Sequence, residues 1–268
     1  MSAWSLPDRP SVVITGASSG IGEQTAYRFA RAGAHLALLA RRKDRLERTA
    51  EKARKLGGEA HGIPVDLADD EAARGAMRDA ESRYGTVDVL INNAGFGIYA
   101  PIESVPRDDL ERLFAVNTFA PLAAIQTVLP GMRRRGRGLI INVSSVVGKR
   151  ALPMSGAYGA SKYALHGLSD ALRVELRGTG VEVSVVCPGF TLTEFSDKVV
   201  DYGAERGRPT SGAMSAEAVA EVIFDCARNP RPEILLTTKG RTLAWLQRIS
   251  PRLADWAVAR AIPVRLPS

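Results

Sequence analysis

Cysteine is scarce in this chain of 268 residues, which contains only Cys187 and Cys226. An isolated pair of cysteines implies no disulfide framework, and their spacing matches no known set of metal ligands. We therefore predict neither a disulfide-stapled fold nor a metal site. Cys187 ends an apolar run, so we expect it to be a buried thiol.

Long apolar segments are also lacking. No apolar run reaches the length of a membrane-spanning helix. The first residues, MSAWSLPDRPSVVITG, contain no apolar core of the signal-peptide type and lead almost at once into a predicted strand. We therefore expect a soluble, cytoplasmic protein.

Positive charge is in excess, with a formal net charge of +7. The basic residues are spread along the chain apart from local runs such as MRRRGRG (132–138), and no helix-turn-helix, zinc-finger or aromatic RNA-binding signature accompanies them. We predict no nucleic-acid partner and interpret the charge as a basic surface, with room for one anionic ligand.

Short apolar runs rich in Val, Ile and Leu alternate with amphipathic segments. Such runs are typical of parallel strands that are buried on both faces. Strands are predicted over 11–15, 35–40, 61–66, 87–92, 138–143, 181–186 and 233–238, and helices over 20–32, 43–56, 69–84, 107–131, 157–178 and 215–228. The alternation predicts an α/β fold with a doubly wound parallel sheet of about seven strands and helices on both faces.

No repeat or linker divides the chain, so we predict one domain over 1–240 with an extension over 241–268. The stretch 188–214 is the only long predicted loop, and loops of that length commonly carry function. The extension contains two amphipathic segments that are separated at Pro251. A basic amphipathic helix can lie on a membrane surface, but we favour packing over the substrate loop or against another subunit.

A glycine-rich turn joins the first predicted strand to the first predicted helix. Its sequence, TGASSGIG (15–22), has the spacing Gly-x-x-x-Gly-x-Gly. Gly16 permits a tight turn, while Gly20 and Gly22 allow the backbone to approach a pyrophosphate at a helix N-terminus. We predict that this turn binds a dinucleotide.

The second predicted strand ends in LLARRKDR (38–45), without the acidic residue that usually binds the ribose hydroxyls of NAD. A guanidinium at this point can bind a 2′-phosphate through charge-assisted hydrogen bonds. We assign this role to Arg41 and interpret Arg42 as part of the solvated start of the next helix. The prediction is NADP(H) rather than NAD(H).

A set of ordered motifs resembles the short-chain dehydrogenase/reductase family, in its compact single-domain branch with a Rossmann-like fold. The motifs are TGASSGIG (15–22), DL (66–67), NNAG (92–95), VN (116–117), NVSS (142–145), YGASK (158–162) and PG (188–189). The resemblance covers residues 11 to 237. It implies an oxidoreductase that transfers a hydride between a nicotinamide dinucleotide and a carbonyl/alcohol pair.

The resemblance also implies which residues contact the cofactor. Asp66 and Leu67 would border the adenine, and Pro188 and Gly189 would hold the nicotinamide end. The full predicted set is Gly16, Ser18, Ser19, Gly20, Ile21, Gly22, Arg41, Asp66, Leu67, Asn93, Ala94, Gly95, Tyr158, Lys162, Pro188, Gly189, Thr191 and Thr193.

Four residues match the catalytic set of the family: Asn117, Ser145, Tyr158 and Lys162. Tyr158 and Lys162 lie one helical turn apart, so the lysine charge would favour the phenolate of a proton-donating tyrosine. Ser145 is preferred over Ser144 because it lies thirteen positions before Tyr158, the separation found in the family.

The rim segments predict a mostly apolar pocket, formed by Phe96, Ile98, Tyr99, Leu152, Met154, Phe190 and Phe195. We therefore expect a hydrophobic ketone, aldehyde or secondary alcohol as the substrate. The resemblance also implies a homodimer or homotetramer. The alternative function is a non-catalytic dinucleotide sensor of the same fold.

Overall fold

The strands of the protein are short and mostly buried. The computed structural model describes residues 4–195, 199–201 and 213–262. Within those residues the strands are β1 (Ser11–Thr15), β2 (His35–Ala40), β3 (Glu59–Pro64), β4 (Val89–Asn92), β5 (Ile98–Tyr99), β6 (Gly138–Val143), β7 (Val181–Cys187), β8 (Thr191–Leu192), β9 (Val200–Asp201), β10 (Met214–Ser215) and β11 (Glu233–Leu235).

Helices connect most of these strands. In the same described ranges they are α1 (Gly20–Ala30), α2 (Lys43–Lys55), α3 (Asp70–Tyr84), α4 (Arg107–Phe114), α5 (Ala120–Arg135), α6 (Gly156–Glu175), α7 (Ala216–Arg228), α8 (Thr238–Ile249) and α9 (Pro251–Ala261).

Seven strands form one parallel sheet in the order β11-β7-β6-β4-β1-β2-β3. Neighbouring residues of β1 point to opposite faces, so Val12 and Ile14 pack into one core cluster and Val13 into another. The predicted doubly wound sheet with helices on both faces is confirmed. The chain reverses its direction of winding between β1 and β4, and ligands of such sheets bind at the carboxyl ends of the strands at this point.

The helix predicted over 107–131 is interrupted and longer than expected. A π-helical turn, Ala115–Phe119, separates α4 from α5, and α5 continues past Pro130 to Arg135. It ends at Gly136, whose φ of 63° is the left-handed conformation that favours glycine at helix C-termini.

The last strand and the extension differ in detail from the prediction. The strand predicted over 233–238 ends at Leu235, because Thr237 caps α8 by accepting a hydrogen bond from the Gly240 amide at 3.1 Å. The extension forms α8 and α9, with Ser250 as the cap of the second helix and Pro251 as its first residue. Its last residues, 263–268, lie outside the described part of the chain.

The helical stretch from Arg107 to Arg135 is long and apolar enough to cross a membrane by length and composition alone. Half of its most apolar window is buried inside the protein, however, and α5 packs against the sheet in the core. A core helix passes the same test, so this stretch is weak evidence for a membrane span.

Candidate active site

The glycine-rich turn lies at the carboxyl end of β1, where the sheet changes its direction of winding. Gly16 and Gly20 have φ values of 69° and 59°, which side chains other than glycine rarely adopt. The amide of Gly16 donates to the carbonyl of Leu39 at 2.8 Å, which ties the turn to β2. Helix α1 begins at Gly20, within the turn, so its N-terminus is placed where an anion at the turn can bind.

Gly22 leaves space for the backbone of the same turn. A Cβ atom at this position would lie 2.4 Å from the carbonyl oxygen of Gly16 and 2.5 Å from Nδ2 of Asn93. A Cβ on Gly16 would lie 2.8 Å from the Cα of Ala94. The spacing of the glycines thus permits close contact between the ends of β1 and β4.

Asn93 holds this contact in place. Its Nδ2 donates to the carbonyl of Thr15 at 2.9 Å, and its amide donates to Oγ1 of Thr15 at 2.9 Å. The amide of Ala94 also donates to Oγ1 of Thr15, at 3.0 Å. The side chain of Asn93, a member of the predicted cofactor-binding set, therefore stabilises the contact between the turn and the end of β4.

Arg42, rather than Arg41, directs its guanidinium onto the turn. Its Nη2 donates to Oγ of Ser19 at 2.9 Å and to Oγ of Ser18 at 3.3 Å. Arg41 is exposed, and its charge contributes to lowering the pKa of Asp66. We predicted Arg42 to be solvated at the start of the next helix. The sequence of a strand-to-helix junction does not reveal which of two adjacent side chains turns inward.

Asp66 is held at the end of β3 by two donors. The Ala68 amide donates to it at 3.1 Å and the Arg112 guanidinium at 3.0 Å. Burial alone would raise the pKa of Asp66, but these hydrogen bonds and the nearby positive charges keep that pKa below its ordinary value. Leu67 is buried in the core.

The segment after β7 returns across the glycine turn. The Pro188 carbonyl accepts from the Val146 amide at 3.0 Å, and Thr191 begins β8. A Cβ on Gly20 would lie 3.1 Å from Cβ of Thr193, so Thr193 is adjacent to the turn. Of the predicted loop over 188–214, residues 196–198 and 202–212 lie outside the described part of the chain.

Tyr158 and Lys162 lie one turn apart on α6, with the Lys162 nitrogen 5.9 Å from the centre of the Tyr158 ring. Lys162 is 3% exposed and donates to the main-chain oxygen of Val143 at 3.0 Å. Burial lowers the pKa of Lys162 to about 8 and raises the pKa of Tyr158 to about 12. Burial therefore opposes the lowering of the Tyr158 pKa that we expected from the lysine charge.

Ser145 and Ser144 face different surroundings. A hydrogen bond with Ser145 acts to lower the pKa of Tyr158, which places this hydroxyl at the phenol. Ser144 is buried beside α6: a Cβ on Gly148 would lie 2.8 Å from its Oγ and 3.0 Å from the ring of His166. Adjacent residues at the end of β6 point in opposite directions, and the structure brings Ser145 to Tyr158.

Asn117 lies in the π-helical turn and is fully buried. Its amide nitrogen donates to the Phe96 carbonyl and to Oγ of Ser161, both at 3.0 Å, and its Oδ1 accepts from the Phe96 amide at 3.1 Å. Such turns often occur at functional sites. A Cβ on Gly95 would lie 3.0 Å from Oδ1 of Asn117 and 3.6 Å from Nζ of Lys162, so these groups converge at the end of β4.

Three of the predicted pocket residues occupy two different kinds of position. The ring of Phe195 lies 5.6 Å from that of Tyr158, at the mouth of the site. Ile98 and Met154 are 2% and 8% exposed and belong to the interior. Met154 has a φ of 65°, and its carbonyl accepts from the Ala100 amide at 2.8 Å. A left-handed backbone at a residue other than glycine is a strained position that no sequence signal predicts.

The extension packs beside this rim. Arg150 contacts Gln247 of α8 at 3.0 Å and forms an ion pair with Asp255 of α9. A cavity of about 660 Å³ lies between the 150–153 segment and α9. On the outer side, Trp245 and Trp256 are 62% and 65% exposed.

Comparison with known proteins identifies the family. The family model described as short chain dehydrogenase matches residues 10–202. The chain is 35% identical over 258 residues to a dehydrogenase/reductase SDR family protein 7-like from Drosophila melanogaster, which covers 93% of this chain and 79% of the relative. The chain therefore belongs to the short-chain dehydrogenase/reductase family and is an oxidoreductase.

Solved structures of relatives contain both kinds of nicotinamide dinucleotide. A short chain dehydrogenase/reductase from Burkholderia phymatum in complex with NAD has a TM-score of 0.84 and 27% identity, with 97% of this chain and 98% of that chain covered. An alcohol dehydrogenase from Thermococcus sibiricus complexed with 5-hydroxy-NADP has a TM-score of 0.77 and 29% identity, with 85% and 96% covered.

Proposed function

We propose that the protein is an NADP(H)-dependent oxidoreductase that interconverts a hydrophobic ketone or aldehyde and the corresponding alcohol. The observation that carries this proposal is the convergence of Tyr158, Ser145 and Lys162 beside the glycine-rich turn. The turn fits a dinucleotide because Gly16 and Gly20 allow its left-handed backbone and α1 begins at Gly20, so the helix N-terminus is available to an anion bound at the turn.

Each residue of the site would have its own role in the reaction. The bound dinucleotide supplies or accepts the hydride. Tyr158 donates the proton to the substrate oxygen in reduction and removes it in oxidation. Ser145 donates a hydrogen bond to the same oxygen and stabilises its developing charge. Lys162 contributes positive charge to the phenolate, and Asn117 fixes the backbone of Phe96 and Gly95 around the lysine.

The preference for NADP(H) is supported by the basic surroundings of the turn. Arg42 contacts Ser18 and Ser19 of the turn, and it lines a basic cavity of about 370 Å³ with Lys43, Arg45 and Arg48. A 2′-phosphate carries two negative charges that suit such a cavity. We assign its main contact to Arg42, with Arg41 as a second cation nearby.

The proposal extends to the substrate, the assembly and the location of the protein. Phe195 beside Tyr158 favours an apolar substrate. We retain a homodimer or homotetramer, which the family resemblance implies, as part of the proposal. Contacts of Arg150 with both helices of the extension favour packing beside the site over membrane binding. We retain a cytoplasmic location as part of the proposal.

The test is oxidation of NADPH against a panel of ketones and aldehydes, with NADH as the matched cofactor. Turnover of apolar carbonyls with NADPH is expected. Tight cofactor binding without turnover of any panel member would favour the dinucleotide sensor instead, and faster turnover with NADH would overturn the NADP(H) assignment.

A further inference from the structure

We propose that Glu194 is a specificity-determining residue, whose carboxylate competes with the 2′-phosphate of NADP(H) for the guanidinium of Arg42. This inference rests on the proposed preference for NADP(H). It adds Glu194, which lies in the segment after β8, to the residues that determine cofactor choice.

Glu194 is held by two arginines at the start of α2. Its Oε2 accepts from Nη1 of Arg42 at 3.1 Å, and its Oε1 accepts from Nη1 of Arg45. Both arginines line the basic cavity beside the turn. A carboxylate with two acceptor oxygens therefore occupies the donors that a phosphate would use.

The position of Glu194 is fixed by its neighbours on both sides. Thr193 lies against Gly20 of the glycine-rich turn. The Phe195 amide donates to Oγ1 of Thr193 at 3.2 Å, and the Phe195 ring lies 5.6 Å from that of Tyr158. The segment 193–195 thus spans the distance between the arginines of the cofactor site and the catalytic tyrosine.

Charge and geometry make the competition selective. A 2′-phosphate carries about two negative charges and three acceptor oxygens, so it can displace a single carboxylate from Arg42. The displacement opposes binding of NADP(H) but not of NAD(H), which lacks the phosphate. The ion pair is 35% and 39% exposed on its two side chains. Because solvent weakens such a pair, we expect an effect of about two- to fivefold on the dissociation constant.

The experiment measures dissociation constants of NADP⁺ and NAD⁺ by calorimetry, for the full chain and for Glu194→Gln. We expect the variant to bind NADP⁺ about two- to fivefold more tightly, while its binding of NAD⁺ stays about the same as in the original protein. Unchanged NAD⁺ binding also shows that the variant is folded. Asp44→Asn is the matched control, because Asp44 lines the same cavity and its loss changes the net charge equally.

Two results would overturn the proposal: Glu194→Gln leaves the NADP⁺/NAD⁺ ratio unchanged or shifts it toward NAD⁺, or Asp44→Asn shifts the ratio as much. In the second case general electrostatics explains the effect. Failure of the proposed NADP(H) preference is distinguishable. It would appear as equal binding of NADP⁺ and NAD⁺ by the original protein, with no change in Arg42→Ala.

Discussion

The ammonium nitrogen of Lys162 lies 5.9 Å from the centre of the Tyr158 ring, and burial disfavours the charged form of both side chains. It disfavours the ammonium of Lys162, whose pKa falls to about 8, and the phenolate of Tyr158, whose pKa rises to about 12. At neutral pH the phenol is therefore protonated and ready to donate.

The raised pKa of Tyr158 predicts different pH dependences for the two directions of the reaction. Alcohol oxidation needs the phenolate, whose fraction grows about tenfold per pH unit below the pKa of the phenol. We expect kcat/KM for oxidation to rise from pH 6 to about pH 9, while reduction stays level near neutrality. The charge of Lys162 is present below its pKa of about 8, so Lys162→Met should lower the oxidation rate most at pH 6 to 7 and less at pH 9. Initial rates across this range check both points, and an oxidation rate that falls with pH would contradict the role of Tyr158 as the base.

Removing the phenolic oxygen gives the most direct test of Tyr158. We expect Tyr158→Phe to lower kcat by about 10² to 10⁴, with cofactor binding retained, because only the proton donor is lost. Tyr163→Phe is the matched control. Tyr163 is 41% exposed, and its hydroxyl donates to the Lys149 carbonyl. Near-original turnover in Tyr158→Phe, or equal losses in the two variants, would exclude the assigned role.

Cofactor choice should depend on Arg42 more than on Arg41. Arg42 contacts the serines of the turn, whereas Arg41 is exposed. A hydrogen bond to a charged group contributes roughly 1.5–3 kcal/mol, so Arg42→Ala should lower the NADPH/NADH ratio of kcat/KM by about ten- to a hundredfold. Arg41→Ala should change this ratio by a smaller factor. A larger effect at Arg41 would restore the assignment made from the sequence.

These two arginines show how far the sequence alone could predict the site. The strands and the glycine-rich turn are local patterns, and they predicted the sheet and its ligand-binding edge. The choice of Ser145 came from the spacing that the family resemblance implies. The direction of the Arg42 side chain depends on Glu194, which lies more than 150 positions away in the chain. Long-range packing of this kind leaves no local pattern.

The same limit applies to Asn117 and Arg150. The sequence placed Asn117 in a continuous helix, but its buried amide bonds to the backbone of Phe96 accompany a π-helical turn. Arg150 binds the extension through Gln247 and Asp255, about 100 positions further along the chain. In both cases the contact forms only when distant elements pack together.

Gly22 is expected to be intolerant of substitution. In Gly22→Ala the new Cβ would lie 2.4 Å from the Gly16 carbonyl, a backbone atom that cannot move without opening the turn. We expect a loss of about 1–3 kcal/mol in the free energy of unfolding and weaker dinucleotide binding. Gly167→Ala is the control, because within the described residues its added Cβ would lie within 4 Å only of its chain neighbours and the backbone of α6 itself. It should stabilise the protein by up to about 1 kcal/mol. Chemical denaturation measures both, and equal effects would contradict the packing argument.

His166 is expected to control part of the acid sensitivity of the fold. It is 5% exposed on α6, and its Nδ1 has no hydrogen-bond partner among the described residues. Burial, aided by the charge of Lys149, lowers the pKa of His166 to about 4. Between pH 6.5 and pH 4 the unfolded chain therefore binds a proton that the folded protein does not.

The free energy of unfolding therefore falls as the pH falls through this window, by about 3 kcal/mol from this residue. His166→Gln removes the titrating group, so its stability should depend less on pH between 6.5 and 4. His61→Gln is the matched control. Burial also lowers the pKa of His61, but this residue is exposed, so its removal should flatten the curve less. Denaturation at several pH values checks the slopes. A slope in His166→Gln as steep as in the original protein would show that His166 is protonated in the folded state near its ordinary pKa.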